Sequence, residues 1–327
     1  MGSEMPSAEK RQSNIDLRGV QGGVITIGNF DGVHRGHAVL LSEVRRMADQ
    51  IGGPAVAVVL DPHPATILRP QHAPTRLTWI ERRAELMDTH GIDGLVVCET
   101  TRQFLGMTAE QFFDSLIRER LKARAMVEGP NFFFGRDRGG DVGRLGSMCA
   151  EMGIGLTIVE PTMDDGQMIS STRIRELLGE GKIETANAML GHCHRIRGNV
   201  VSGAKRGREI GFPTANLSQI DVVIPAPGVY GGRVKIDDNE HDAAVHVGPV
   251  PTFEDNGESK VEVHVLDYDG DLYERSLEVD LLHRVRDVTR FESTDELVKQ
   301  LHQDISTIRA FLVDVDQGES EPGATQD

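Results

Sequence analysis

The chain has 327 residues and a formal net charge of −16, with 51 acidic against 35 basic side chains. That balance argues against a dedicated nucleic-acid binder or an anionic-membrane ligand, either of which needs a basic face. Hydrophobic content of 39% and charged content of 26% describe a soluble globular protein with enough sequence for two domains.

Three scattered cysteines, Cys98, Cys149 and Cys193, form no CxxC pair. They fit a reducing cytoplasm better than a disulfide scaffold. No apolar run reaches membrane-spanning length, and the start lacks a signal-peptide core. Residues 1–17 read as a disordered arm and residues 315–327 as a disordered acidic tail.

The first half alternates short apolar runs with helical patterns. Strands are expected at Val24–Ile27, Ala55–Leu60, Leu95–Cys98, Ala125–Val127 and Leu156–Val159. Their near-continuous apolar character suits strands buried on both faces. Capping boxes at Thr78-Trp79-Ile80-Glu81 and Thr108-Ala109-Glu110-Gln111 open two of the intervening helices. This alternation predicts a parallel, doubly wound sheet with ligands at the strands' carboxyl ends.

Four motifs follow those ends. Gly28-Asn29-Phe30-Asp31-Gly32-Val33-His34-Arg35-Gly36-His37 joins the first strand to an apolar stripe of Leu41, Val44, Ala48 and Ile51 at helical spacing. A helix N-terminus with two imidazoles suits phosphate. Asp61-Pro62-His63-Pro64 follows the second strand as a rigid extended loop, either a stiff connector or part of the site lining. Gly129-Pro130-Asn131-Phe132-Phe133-Phe134-Gly135 follows the fourth strand. Three consecutive phenylalanines cannot all enter one core, so some meet a loop or a ligand. Ser170-Ser171-Thr172-Arg173-Ile174-Arg175 carries more hydroxyls than one helix cap needs, beside two cations that could grip phosphate.

Near residue 190 the pattern changes to period-two strands: Ile196–Val201, Val229–Ile236, Ala243–Val247, Val261–Leu266 and Leu277–Leu282. Turn signals between them indicate an antiparallel barrel or sandwich. A final helix opens at Ser293-Thr294-Asp295-Glu296. The dense segment Gly203-Ala204-Lys205-Arg206-Gly207-Arg208-Glu209-Ile210-Gly211-Phe212-Pro213-Thr214-Ala215-Asn216 lacks the Walker order. Thr214 and Asn216 are plausible hard-oxygen ligands for Mg2+. On the alternating run from Lys260, Glu262 and His264 share the face opposite Val261 and Val263. His192-Cys193-His194 has no second ligand pair, which argues against zinc.

Taken together, these motifs resemble the prokaryotic bifunctional riboflavin kinase/FAD synthetase family, over about residues 20 to 313. The stretch Gly28 to His37 is similar to that family's HxGH nucleotidyltransferase signature. Asp61 to Pro64, Gly129 to Gly135 and Ser170 to Arg175 match its later adenylyltransferase motifs. Arg206 to Asn216, Gly228-Val229-Tyr230, Pro251-Thr252-Phe253 and Glu262 match its kinase half. The resemblance implies a Rossmann-like domain over residues 18–189 and a six-stranded flavokinase barrel with a terminal helix over residues 190–314.

It also implies two ATP-dependent steps, riboflavin to FMN and then FMN to FAD, with Mg2+ as the metal. His34, His37 and Glu262 would be catalytic. Gly28, Phe30, Asp31, Gly32, Ser170, Ser171, Thr172 and Arg175 would bind ATP in the adenylyltransferase, and His63, Pro64, Asn131 and Phe132 the flavin. Gly203, Arg206, Gly207, Arg208, Gly211, Phe212, Pro213, Thr214 and Asn216 would hold ATP and flavin in the kinase, with Thr214 and Asn216 on the metal.

Implied partners are these small molecules and transient self-association, with no nucleic acid and no membrane. Departures concentrate in the second half: His246-Val247-Gly248-Pro249-Val250 replaces the usual Asn-x-Gly-x-Arg, and Leu190-Gly191-His192-Cys193-His194 replaces Leu-Gly-Arg-Pro-Tyr. The alternatives are a chain retaining only the adenylyltransferase, a different HxGH nucleotidyltransferase, and a non-catalytic flavin sensor.

Overall fold

The structure is a computed structural model that describes residues 19–203, 206–237, 239–248 and 260–319. Its contacts divide the chain into two compact units. One takes the described residues up to Pro74 with Ile80–Ile169, and the other takes Thr75–Trp79 with Ser170 onward. The expected arm at residues 1–17 and the Pro251-Thr252-Phe253 motif lie outside the described residues.

The first unit is built on five parallel strands, β1 (Val24–Gly28), β2 (Ala55–Asp61), β3 (Gly94–Glu99), β4 (Ala125–Glu128) and β5 (Gly155–Ile158), in the order β3-β2-β1-β4-β5. The runs Val-Ile-Thr-Ile of β1 and Ala-Val-Ala-Val-Val of β2 are buried throughout, as a sheet covered on both faces requires. The expected α/β fold is present, with strand ends within two residues of those read from the sequence.

Helix α1 (Arg35–Ile51) lays Leu41, Val44 and Ala48 on the sheet and ends at Gly52, whose φ of 62° is the left-handed C-cap conformation. Strand order reverses between β1 and β4. That switch point, outside the carboxyl ends of both strands, is where such sheets bind ligands.

Asp61 to Pro64 departs from the expected extended loop. Pro64 opens the short helix α2 (Pro64–Leu68), where a missing N–H costs nothing, and His63 caps it by accepting the N–H of Ala65 at 3.1 Å. Helix α3 (Ile80–Asp88) precedes β3, and α4 (Arg102–Leu105) follows it. The Thr108/Gln111 capping box forms as read, opening α5 (Ala109–Phe112), which runs into a π-helical stretch at Phe113–Arg120. Helix α6 (Val142–Met152) covers β5, and a small hairpin, β6 (Met163–Asp164) with β7 (Gln167–Met168), completes the unit.

The second unit starts with α7 (Ser171–Gly179) and α8 (Ile183–Leu190), which pack together, and α8 lies on the barrel strands. The contact boundary therefore precedes the change of sequence pattern at 190, because these helices bury their apolar faces on the barrel side. The barrel comprises β8 (His194–Val201), β9 (Ala215–Ser218), β10 (Gly228–Ile236), β11 (Asn239–Val247), β12 (Val261–Val265) and β13 (Ser276–Arg286). It closes in the order β10-β11-β12-β9-β8-β13, every neighbour antiparallel.

Strand β9 carries no alternation visible in the sequence, since Thr214-Ala215-Asn216 reads as a polar motif. The short helix α9 (Arg206–Glu209) precedes it. The last helix, α10 (Thr294–Glu319), runs past residue 314, so the first residues of the expected disordered tail are helical. Its Ile308 and Leu312 are buried, and its Asp304, only 2% exposed, is forked by the Arg286 guanidinium at 2.8 and 2.9 Å.

Candidate active sites

At the switch point, the turn after β1 is held under strain. Phe30 and Val33 adopt φ of 48° and 39°, a region that a β-branched residue reaches only when its surroundings fix it. The fixing groups are buried. Asp31 is 4% exposed and pairs at 3.0 Å with Arg83 of α3, itself 5% exposed, and Arg83 also donates to the Asn29 carbonyl at 3.0 Å.

The resemblance places Asp31 among the ATP contacts, and its carboxylate is already committed to Arg83 in this arrangement. Removing one partner of a buried ion pair strands the other. Arg83→Met is therefore expected to lower stability by about 3–5 kcal/mol, measured by denaturant unfolding, whereas a surface arginine would cost below about 1 kcal/mol.

His34 is the N-cap of α1, and its Nδ1 accepts the backbone N–H of His37 at 3.3 Å. A neutral His34 therefore carries its proton on Nε2. The His37 ring stacks on His34 with centroids 3.6 Å apart and meets Phe30 edge-on at 5.0 Å. Burial, reinforced by His34 and Arg83, pushes the His37 pKa well below the ordinary imidazole value. It is neutral at pH 7, and its Nδ1 has no hydrogen-bond partner among the described residues. No acidic residue stands in the first turn of α1 to compete for its N-terminus. Arg35, 3.6 Å from Asp164 of β6, flanks the same end.

Glu128, at the end of β4, is 2% exposed, and its Oε1 accepts the N–H of Ile27 at 2.8 Å. Where β1 and β4 diverge, this side chain replaces a ladder bond. Burial raises its pKa well above the usual carboxylate value.

A raised folded pKa makes its stability contribution fully present below the ordinary value of 4.5 and lost as pH rises through the folded one. Glu128→Gln keeps the acceptor and removes the ionisation. It is expected to melt with the wild type at pH 5 and above it at pH 9. Equal melting temperatures at both pH values would mean that Glu128 carries no such cost.

Among the phenylalanines, Phe134 is core and Phe132 half-buried, their rings 5.5 Å apart, while Phe133 is 42% exposed beneath the Arg138 guanidinium at 3.9 Å. Asn131 is exposed beside them, and His63 and Pro64 are half-buried in and before α2. Ser170 caps α7 by accepting the Arg173 N–H at 3.3 Å, Ser171 and Thr172 form the first turn, and Arg175 donates to the Thr75 carbonyl at 2.7 Å. All four lie in the second unit.

Two cavities among the described residues of the second unit bear on the kinase motifs. One, about 340 Å3, is lined by Gly203, Arg208, Pro213, Thr214, Asn216 and the Tyr268–Tyr273 turn. The other, about 460 Å3, is mainly apolar and lies between barrel and α10, with Gly207, Phe212, Thr214, Asn216, His246 and Glu262 in its wall. Thr214 and Asn216 line both cavities. Asn216 is 9% exposed, and its Oδ1 accepts no hydrogen bond within the described residues. Gly203 is required beside it, since a Cβ there would run into the Asn216 amide. Gly211, at φ 87°, turns the loop that delivers buried Phe212. Arg206 opens α9.

Antiparallel register sets Asn216, Glu262 and His246 side by side across β9, β12 and β11. Glu262 Oε1 lies 2.6 Å from Lys260 Nζ and Oε2 lies 3.5 Å from His246 Nδ1. His246 first, then Lys260, hold the carboxyl down to about 2 despite burial.

Sequence reading missed Arg83, though its signal was present. It stands at helical spacing from buried Leu86 and Met87, a charge on an apolar stripe. His246 and Lys260 needed the strand register, which no local pattern gives.

The two units define the class of protein, an α/β nucleotide-binding unit with a switch-point histidine pair followed by a small antiparallel barrel with paired ligand cavities. Comparison agrees across both. The FAD synthetase family profile matches residues 18–173 and the riboflavin kinase profile residues 190–312.

The bifunctional riboflavin kinase/FMN adenylyltransferase of Pseudomonas fluorescens is 34% identical over 291 residues, covering 89% of this chain and 93% of that one. The protein of the same description from Escherichia coli K12 is 34% identical over 300 residues, covering 91% and 96%. A solved chain from Streptococcus pneumoniae, described as a macrolide-efflux protein, is 33% identical with a TM-score of 0.81 and covers 88% of this chain and 94% of that one. The chain belongs to the bifunctional riboflavin kinase/FMN adenylyltransferase family.

Proposed function

We propose that residues 190–314 phosphorylate riboflavin to FMN and residues 18–189 adenylylate FMN to FAD, each with ATP. The observation that carries the kinase assignment is the pair of cavities sharing Thr214 and Asn216. A phosphoryl group passing from nucleotide to alcohol needs two binding spaces that meet at one point. The mainly apolar cavity suits a flavin ring, and the other, with Gly203 and Arg208 in its wall, suits the nucleotide.

The orphaned Oδ1 of Asn216 and the Thr214 hydroxyl are hard oxygen donors of the kind that fit Mg2+. Among the described residues no group of three or more His, Cys, Asp or Glu could hold a metal, consistent with an ion held mostly by phosphates and water. When bound, Mg2+ supplies charge neutralisation across the transferring phosphates. Glu262 supplies the carboxylate end of the path for the proton leaving the riboflavin hydroxyl.

In the first unit the FMN phosphate is its own nucleophile, since a phosphomonoester is largely dianionic at neutral pH. It attacks the α-phosphorus of ATP and pyrophosphate leaves. The protein supplies position and stabilisation of developing charge. His34 and neutral His37 stand at a helix N-terminus as donors to developing charge, and the strained Phe30–Val33 turn keeps the backbone against the nucleotide. Gly28, Asp31 and Gly32 shape that turn. His63, Pro64, Asn131 and Phe132 are assigned to the flavin, and Ser170, Ser171, Thr172 and Arg175 to the triphosphate.

Three scattered cysteines, Cys98, Cys149 and Cys193, with no CxxC pair favour a cytoplasmic setting. No described helix is long and apolar enough to cross a membrane. The test is a time course with riboflavin, ATP and Mg2+, resolving the three flavins. FMN is expected first and FAD second; unconsumed riboflavin with added FMN still converted would leave only the adenylyltransferase.

A further inference from the structure

The loop that carries Thr214 to the meeting point of the two cavities is anchored by a histidine with no assigned part in the chemistry. From Gly207 to Phe212 the chain closes on itself. The N–H groups of Phe212 and Ile210 both donate to the Gly207 carbonyl, at 2.8 and 3.2 Å. A Cβ on Gly207 would run into the Phe212 carbonyl, and Gly211 sits at φ 87°. These glycines let the turn form, and they also leave it soft, since glycine restricts the backbone least.

The barrel holds the end of that turn. Ala215 of β9 pairs with Val263 of β12 at the end of their ladder, so His264 stands one step further, level with Thr214. Pro213 has no N–H with which to continue the ladder. A side chain takes over, with His264 Nδ1 2.7 Å from the Pro213 carbonyl oxygen. A carbonyl only accepts, so Nδ1 carries the proton of this bond. The Phe212 ring is buried and meets the His264 ring edge-on at 5.6 Å and the His302 ring of α10 at 5.1 Å. Phe212 and His264 line the 460 Å3 cavity, Pro213 lines the 340 Å3 cavity, and Thr214 lines both.

We propose that His264 is a positioning residue of riboflavin phosphorylation, holding the Pro213 carbonyl so that the Thr214 hydroxyl stays where the two cavities meet. This rests on the kinase reading. In this role His264 takes no proton from the substrate. It fixes a geometry, and a displacement of about 1 Å at a reacting site can cost roughly 100-fold in rate. Donor and ring can be separated by substitution. Asn offers an N–H one atom beyond Cγ, as Nδ1 does, and lacks the ring; Phe keeps a ring and lacks the donor.

The experiment measures kcat and KM for FMN formation by the full chain and by His264→Phe, His264→Leu and His264→Asn. Adenylylation of added FMN by each preparation is the folding reference. Trypsin cleavage after Arg208, which lies in the anchored loop, reports how often that loop opens. His264→Phe and His264→Leu should lose about 10- to 100-fold in kcat, with the riboflavin KM shifted less than about threefold. Both should be cut after Arg208 at least about threefold faster, the weight of one lost hydrogen bond. His264→Asn should keep at least about a third of the wild-type kcat and the wild-type cleavage rate, because the donor is retained.

His264→Phe and His264→Leu with near wild-type kcat would overturn the proposal. So would a loss wholly in riboflavin KM, which marks a flavin contact, an unchanged cleavage rate, or a His264→Asn as impaired as His264→Phe. A loss of adenylylation equal to the loss of FMN formation in both donor-less variants would also overturn it, as general damage to the chain. A wild-type chain that forms no FMN would instead refute the kinase reading beneath it.

Discussion

Glu262→Ala is expected to reduce FMN formation by at least about 100-fold while FMN-to-FAD conversion stays at the wild-type rate. The magnitude follows from the proton that the alcohol must lose, a contribution of roughly 10²–10⁴ in rate for a positioned acid or base, or about 3–5 kcal/mol of barrier. The selectivity follows from position. Glu262 lies on β12 between Asn216 and His246 of the barrel unit, and the adenylylation step needs no protein base at all. Separate assays with riboflavin and with FMN as substrate measure the two rates. Loss of both would remove the basis for two chemically independent sites.

His37→Ala is expected to do the reverse, cutting adenylylation by about 10²–10³-fold, the usual cost of one preorganised donor to developing charge. Its pH dependence has a definite sign. The His37 pKa lies below the ordinary imidazole value because burial disfavours the charged form. The ring is therefore neutral through the physiological range, and wild-type adenylylation should show no limb from His37 between pH 6.5 and 8.5. An imidazolium stabiliser would instead lose activity as pH rises through that window. The same depressed pKa means that folding resists protonation of this ring. Its contribution to stability is present above the unfolded value of about 6.5 and lost as pH falls through the folded one.

Much of the fold was legible because local pattern and tertiary environment agree. Continuous apolar runs such as Ala55–Leu60 became strands buried on both faces, and the Leu41, Val44, Ala48 stripe became the buried face of α1. The exceptions have physical causes. Strand β9 begins in the polar run Thr214-Ala215-Asn216, so its sequence hides a barrel strand. Pro64 starts a helix where a proline-flanked loop was expected, because proline at a first helical position and proline in a rigid loop look alike in sequence.

At the candidate sites, sequence named residues that come together locally: His34 stacks on His37, and Thr214 and Asn216 line the same cavities. Partners brought by long-range register or by a distant helix were out of reach. Arg83 meets Asp31 across 52 residues of chain and Glu128 meets Ile27 across 101. His246 faces Glu262 only once the β11–β12 register is known.

The central claim, that one chain carries two independent phosphate chemistries joined by free FMN, is tested by mixing the two single-site variants. Glu262→Ala alone and His37→Ala alone should each fail to make FAD from riboflavin, ATP and Mg2+. An equimolar mixture should make it, with FMN from the His37→Ala chain feeding the intact adenylyltransferase of the other. A mixture that forms no FAD, while each variant keeps its own remaining half-reaction, would contradict the account.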